Sequence, residues 1–252
     1  MKKAYLLVLF ICISAMSYAQ STFKIIAHRG AMGYEMQNSI NSFKKALELN
    51  AAMIELDVFV LPTGELVVFH DDELDALSDG RGPIESYPYH KLQEVRLNDG
   101  QSIPLLSEVL DLCASKTAIN IELKGAHTAQ PVQELLTDYF NSGLLQIDQV
   151  LISSFKWEEL ELTRALNNKI PIGILTDQDP LKAIEIAKRL SAVSINPYYK
   201  TLDQKKVDLI HANGFQLYAW TVNDIGDLQK MKDMGVDGVF CNYPDRGTEL
   251  HR

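Results

Sequence analysis

The sequence predicts a (β/α)8 barrel, a closed α/β fold of the TIM type, with a small insertion after its second strand. Three observations predict it. Eight short apolar runs recur along the chain, segments of 3.6-residue periodicity separate most of them, and no linker interrupts the 252 residues. Strands that alternate with helices imply a parallel sheet. Eight such units in a chain of this length close into a single barrel.

The runs are Ile25–Ala27, Met53–Val58, Ala118–Glu122, Val150–Ser153, Ile172–Leu175, Ala192–Ile195, Gln216–Trp220 and Gly238–Phe240. Most lack internal alternation, as expected of strands buried on both faces. The helical segments are Ser39–Leu49, Leu106–Ala114, Pro131–Asn141, Trp157–Leu166, Leu181–Leu190, Asp203–Ala212 and Asp224–Met234. Ser39 and Asn41 are candidate caps for the first, and Asp203 and Asp224 stand where a carboxylate satisfies free amides. Asn213-Gly214 and Gly235 lie where helices should stop. One further run, Leu66–His70, follows Met53–Val58 after only Leu61-Pro62-Thr63-Gly64-Glu65. That link is too short for a parallel crossover, so an antiparallel hairpin is expected. The stretch Asp71–Pro104, rich in Asp, Gly, Pro and Tyr, reads as an insertion of weak secondary structure packed over the barrel mouth.

The 46% apolar content suffices for a large core, and the net charge of -9 argues against nucleic-acid binding. Residues 1–19 read as a secretory signal peptide: Lys2-Lys3, an apolar run from Ala4 to Ile13, and Ser17-Tyr18-Ala19 before a mature start at Gln20 or Ser21. The run is too short to span a bilayer, so an exported, periplasmic or secreted protein with no transmembrane segment is expected. Loss of the two leader lysines moves the charge from -9 to -11. Cys113 and Cys241 sit in apolar contexts and are expected as two buried free thiols.

Polar residues cluster at the carboxyl ends of the early runs, the end of a barrel that carries active sites. His28-Arg29-Gly30 follows the first run; Glu55 and Asp57 sit two apart near the end of the second; His70-Asp71 ends the hairpin. Gly30 lets the backbone approach a ligand, and the Arg29 guanidinium suits phosphate oxygens. Glu55 and Asp57 project to one side of a strand. Asn120, Glu122 and Lys124 share a face by the same parity. Three acids inside a barrel lose hydration and repel each other, a cost that one divalent cation, Mg²⁺ or Ca²⁺, removes; ion pairs to Arg29 and Lys124 are the other solution. His70 is a second candidate acid or base. His90, His127 and His211 have no such neighbours in sequence and read as surface residues. Trp220 reads equally as an apolar wall for a small polyol or as core packing.

Taken in order, His28-Arg29-Gly30, Glu55-Leu56-Asp57, His70-Asp71, Glu122-Leu123-Lys124, Trp220-Thr221-Val222-Asn223 and Gly235-Val236-Asp237-Gly238 resemble the glycerophosphodiester phosphodiesterase family over the whole mature region, residues 20–252. Each motif is weak alone, whereas their order and spacing are specific. The resemblance implies a barrel with a small insertion, and hydrolysis of glycerophosphodiesters to sn-glycerol 3-phosphate and an alcohol through a cyclic phosphate. It implies His28 and His70 as the acid–base pair and Glu55, Asp57 and Glu122 as metal ligands. It further implies Arg29 and Lys124 at the phosphate, and Trp220 at the glycerol.

Two departures stand out. Met36-Gln37-Asn38-Ser39 aligns with a family stretch that carries a glutamate where Gln37 stands, and Glu35 is a second candidate for the missing charge. Ala76-Leu77-Ser78-Asp79-Gly80 lacks an arginine that the family often shows. Two rival readings follow: a phosphodiesterase for lysophospholipids or sphingomyelin, and a catalytically silent protein that binds phosphorylated polyols.

Overall fold

Met53–Val60 (β2) is buried at every position but its last, although Ile54-Glu55-Leu56-Asp57-Val58 alternates apolar with acidic residues. Outward residues Ile54, Leu56 and Val58 pack under the helices with Phe43, Val109, Leu110 and Leu136. Inward residues meet the opposite strands, where Ile26, Met53, Leu151, Tyr218 and Phe240 fill the lower barrel. The outer face is therefore apolar throughout, and the inner face is apolar at Met53 and acidic at Glu55 and Asp57.

The computed structural model describes residues 23–251, and the leader expected over residues 1–19 lies outside them. Besides β2, the strands are β1 (Lys24–Ala27), β3 (Leu66–Val68), β4 (Ala118–Leu123), β5 (Val150–Ser154), β6 (Ile172–Thr176), β7 (Ser194–Pro197), β8 (Gln216–Ala219) and β9 (Gly238–Cys241). Their order is β1-β9-β8-β7-β6-β5-β4-β2-β3, and a β1–β2 pairing closes the ring. All pairings are parallel except β2–β3. The fold is thus the (β/α)8 barrel that the alternation predicts, and β3 is the antiparallel hairpin strand dictated by its short link.

The helices are α1 (Ile40–Glu48), α2 (Tyr89–Leu92), α3 (Leu106–Cys113), α4 (Ala129–Asn141), α5 (Trp157–Leu166), α6 (Ile184–Arg189), α7 (Gln204–Ala212) and α8 (Ile225–Asp233). Ser39 caps α1 in a reciprocal pair with Ser42, so Asn41 is not the cap. Asp203 and Asp224 cap α7 and α8 as expected. The periodic segment Leu181–Leu190 splits, because Pro180 starts a 3-10 turn over Pro180–Ala183 ahead of α6. The run expected at Ala192–Ile195 shifts to Ser194–Pro197: Ser191 turns at φ +48, and Asn196 continues the strand although it is polar. No described helix is long and apolar enough to cross a membrane.

Residues 71–104 hold one 3-10 turn, the short α2 and isolated bridges such as Glu73–Pro83 and Ser78–Leu97. They carry their own apolar cluster, in which Leu74, Ile84, Leu92 and Leu97 pack on Phe59, Val67 and Phe69 of the hairpin. Hydrophobic burial against β2 and β3, rather than regular ladders, holds this stretch in place.

Cys113 and Cys241 are free and buried, as expected. Burial pushes their thiols up, to about 12 and about 11, so neither is primed as a nucleophile. His90 and His127 are exposed. His211 is exposed but has a partner that sequence position did not reveal: its Nε2 lies 2.8 Å from Asp237 Oδ2, a carboxylate on the turn before β9.

Candidate active site

Gly30 sits at φ +77, and a Cβ there would lie 2.7 Å from the backbone carbon of Ser42. Only glycine lets the chain leave β1 against the first turn of α1. Arg29 is itself left-handed, at φ +51, a strained setting for an arginine. It is held by its surroundings: its N–H donates to Glu55 Oε2 at 2.7 Å, and its carbonyl accepts from Asn38 N–H and Ser42 Oγ, each at 3.0 Å. The first motif is thereby fixed against the second.

Glu55, Asp57 and Glu122 converge from neighbouring strands, with Asp57 opposite Glu122 in register. Each offers an oxygen, and these three oxygens lie within 4.8 Å of one another. They are 3%, 1% and 9% exposed, so little water remains to screen them. Burial, then repulsion from Asp57, holds the Glu55 carboxyl well above its ordinary range. The same two causes push Glu122 up to about 7. Asn38 Nδ2 donates to Asp57 Oδ2 at 2.8 Å, and Arg29 Nε lies 3.4 Å from the same oxygen. Lys124 Nζ lies 3.3 Å from Glu122 Oε1. A buried set of oxygen donors that its cations do not neutralise is one that a hard divalent ion fits.

His28 Nδ1 pairs with Asn242 Oδ1 at 2.8 Å. With Nδ1–H donating to that amide oxygen, Nε2 is left as an acceptor. Burial, aided by the charge of Arg29, lowers His28 to about 3, so the ring is neutral at ordinary pH. His70 Nδ1 lies 2.6 Å from Asp71 Oδ1, and its Nε2 lies 3.0 Å from Lys124 Nζ. Burial also lowers His70, against the opposing pull of Asp57.

Both histidines, Arg29, Glu55, Glu122 and Lys124 line one cavity of about 240 Å³. Asp57 lies behind that lining. Trp220 stands on the cavity wall, just past β8, with its Nε1–H donating to Asn196 O at 2.8 Å and its ring edge-on to Phe155 at 5.3 Å. It is therefore wall and packing residue together. All eight residues singled out in the sequence meet at this one site.

Sequence reading missed several contributors. Asn242 continues the inward parity of Gly238 and Phe240, a signal that could have found it. Asn38 lies in the stretch compared with the family, yet its bond to Asp57 has no local signature. Phe155 and Ser153 line the cavity from β5 and the residue after it, and nothing in their types marks them.

The raised carboxyls give a pH prediction for the cation-free protein. Stability from their protonated forms is complete below their ordinary value of 4.5 and is lost as pH rises through about 7 for Glu122. The two lowered histidines act oppositely, but their contribution is complete above their ordinary 6.5. With chelator present, Glu122 should pull the melting temperature down as pH rises from about 4.5 to 7, and Glu122→Gln should remove that downward slope. Thermal melts across the range check it; a slope that survives the substitution would assign the titration elsewhere.

A barrel with two neutral histidines and a buried carboxylate cluster around one polar cavity has the parts of a phosphodiester hydrolase. Comparison with known proteins gives the same class. The Glycerophosphoryl diester phosphodiesterase family matches residues 28–246. A glycerophosphodiester phosphodiesterase of Caldanaerobacter subterraneus subsp. tengcongensis is 31% identical over 237 residues, covering 90% of this chain and 97% of its own. One from Bacillus subtilis is 31% identical over 247 residues, covering 87% and 83%. Among solved structures, an Oleispira antarctica phosphodiesterase in complex with the product sn-glycerol-3-phosphate superposes with a TM-score of 0.83 at 26% identity, covering 90% of this chain and 96% of that one. The chain belongs to the glycerophosphoryl diester phosphodiesterase family, and its enzyme class is that of the phosphoric diester hydrolases.

Proposed function

We propose that the protein cleaves glycerophosphodiesters to sn-glycerol 3-phosphate and an alcohol. In this reading His28 and His70 are the acid–base pair, and Glu55, Asp57 and Glu122 hold one divalent cation, Mg²⁺ or Ca²⁺. The observation that carries it is the placement of two neutral imidazoles and the acidic cluster on one cavity.

When bound, the cation supplies positive charge that stabilises phosphoryl oxygen and makes a nearby hydroxyl more acidic. Everything else falls to side chains. Arg29 and Lys124, both on the cavity wall, bind and orient the phosphate and stabilise charge that develops on it. The wall of Trp220 and Phe155 excludes water from the glycerol carbons. His28, with Nε2 free to accept, takes a proton from the glycerol 2-hydroxyl as that oxygen attacks phosphorus. His70 sits against Asp71, which favours the protonated ring once substrate is present. It gives its proton to the departing alcohol oxygen as the P–O bond breaks. The resulting cyclic phosphate is opened by water with the two rings exchanging roles.

A diester in which propane-1,3-diol replaces glycerol tests this path, because it lacks the attacking hydroxyl. Glycerophosphocholine should be cleaved and the analogue should not. Comparable cleavage of both would remove the cyclic route and leave direct attack by water.

A further inference from the structure

Arg29 is one of two cations on the cavity wall, with Lys124, and its partners divide in kind. Its Nε faces Asp57 at 3.4 Å. Its Nη1 donates to Gln37 Oε1, a neutral acceptor on the half-buried segment before α1. Glu35, two residues earlier, is exposed and has no hydrogen bond or ion pair with Arg29 among the described residues. The missing acid is therefore not replaced from nearby. Arg81, beyond the stretch that lacks an arginine, is exposed and turns toward Asp75 at 3.9 Å, so it adds no charge to the cavity either.

An amide oxygen and a carboxylate oxygen aim a guanidinium equally well, but only the carboxylate cancels its charge. We propose that Gln37 is a positioning residue that holds Arg29 in place without adding a second carboxylate to the Asp57 already beside it, and that it thereby sets how tightly the site holds a phosphate ester. The proposal rests on the reading above only in placing phosphate against Arg29. A fourth carboxylate beside Arg29 would repel a bound phosphate across a poorly hydrated cavity, where charge interactions are weakly screened.

The test is calorimetric titration of the whole protein, at saturating Mg²⁺, with inorganic phosphate and with sn-glycerol 3-phosphate. Gln37→Glu should weaken both by about tenfold, the effect of one added charge several ångströms from the ligand. Gln37→Leu, which loses the acceptor but adds no charge, should weaken them by less than about threefold. Glu35→Gln should change neither. In steady-state kinetics Gln37→Glu should raise KM and the product-inhibition constant together, with kcat unchanged or higher. Binding within twofold of wild type in Gln37→Glu, an equal loss in Gln37→Leu, or a fall in kcat at constant KM would overturn the proposal. If wild type binds phosphate with the tenfold Gln37→Glu penalty but cleaves no glycerophosphodiester, the proposed function fails and this inference stands.

Discussion

His28→Ala and His70→Ala should each lower kcat by about 10²–10⁴-fold, the usual contribution of a positioned acid or base, with KM changed only a fewfold. Neither ring carries charge at neutral pH, because burial lowers both. Their loss therefore removes proton transfer rather than electrostatic attraction for the substrate. The two variants should also differ. His28→Ala strands Asn242 Oδ1, bonded to the ring at 2.8 Å, and should cost about 1–3 kcal/mol of stability. His70 is about a quarter exposed and keeps Asp71 at its edge, so His70→Ala should melt close to wild type. Steady-state rates and melting curves of both variants check this, and near-full activity in either would collapse the acid–base assignment.

Removal of the divalent ion is the second large effect. Glu55, Asp57 and Glu122 are buried together, and among the described residues only Arg29 and Lys124 pair with them as opposing charges. An ion bound at 100 times its dissociation constant adds about 2.7 kcal/mol, so chelation should lower the melting temperature by roughly 5–10 °C in a domain of this size. Added Mg²⁺ or Ca²⁺ should restore it. The rescue should be greater at pH 8 than at pH 6, because ligand carboxyls with raised values must first lose protons. Glu122→Gln should abolish the rescue. A melting temperature indifferent to chelator would mean that Arg29 and Lys124 alone neutralise the cluster.

What the sequence made legible follows from period and parity. Apolar runs without alternation announced strands buried twice over, and Val150–Ser154 is such a strand. The two-residue spacing of Glu55 and Asp57 placed both on one face, and Glu122 met them because β4 pairs with β2 in register. The short link after β2 forced the hairpin. Partners chosen over long separations were not legible. His28 and Asn242 are 214 positions apart, and no local pattern encodes that pair. His211 looked solitary for the same reason, since Asp237 reaches it from another element. The shift of β7 reflects a polar Asn196 that the barrel interior accommodates with a bond from Ser194 Oγ at 2.8 Å; an apolar-run criterion stops at Ile195, two residues short of Pro197. Residues 71–104 hold together by a separate apolar cluster, which neither helical nor strand periodicity reports.

The most direct test is release of sn-glycerol 3-phosphate from glycerophosphocholine, glycerophosphoethanolamine and glycerophosphoinositol by the protein, with Mg²⁺, with Ca²⁺ and with chelator. Release is expected from at least one diester with a divalent ion and from none with chelator, and it should be lost in His28→Ala and His70→Ala. Release that persists undiminished in chelator would contradict the carboxylate cluster's role, and no release from any diester with either ion would contradict the proposed reaction.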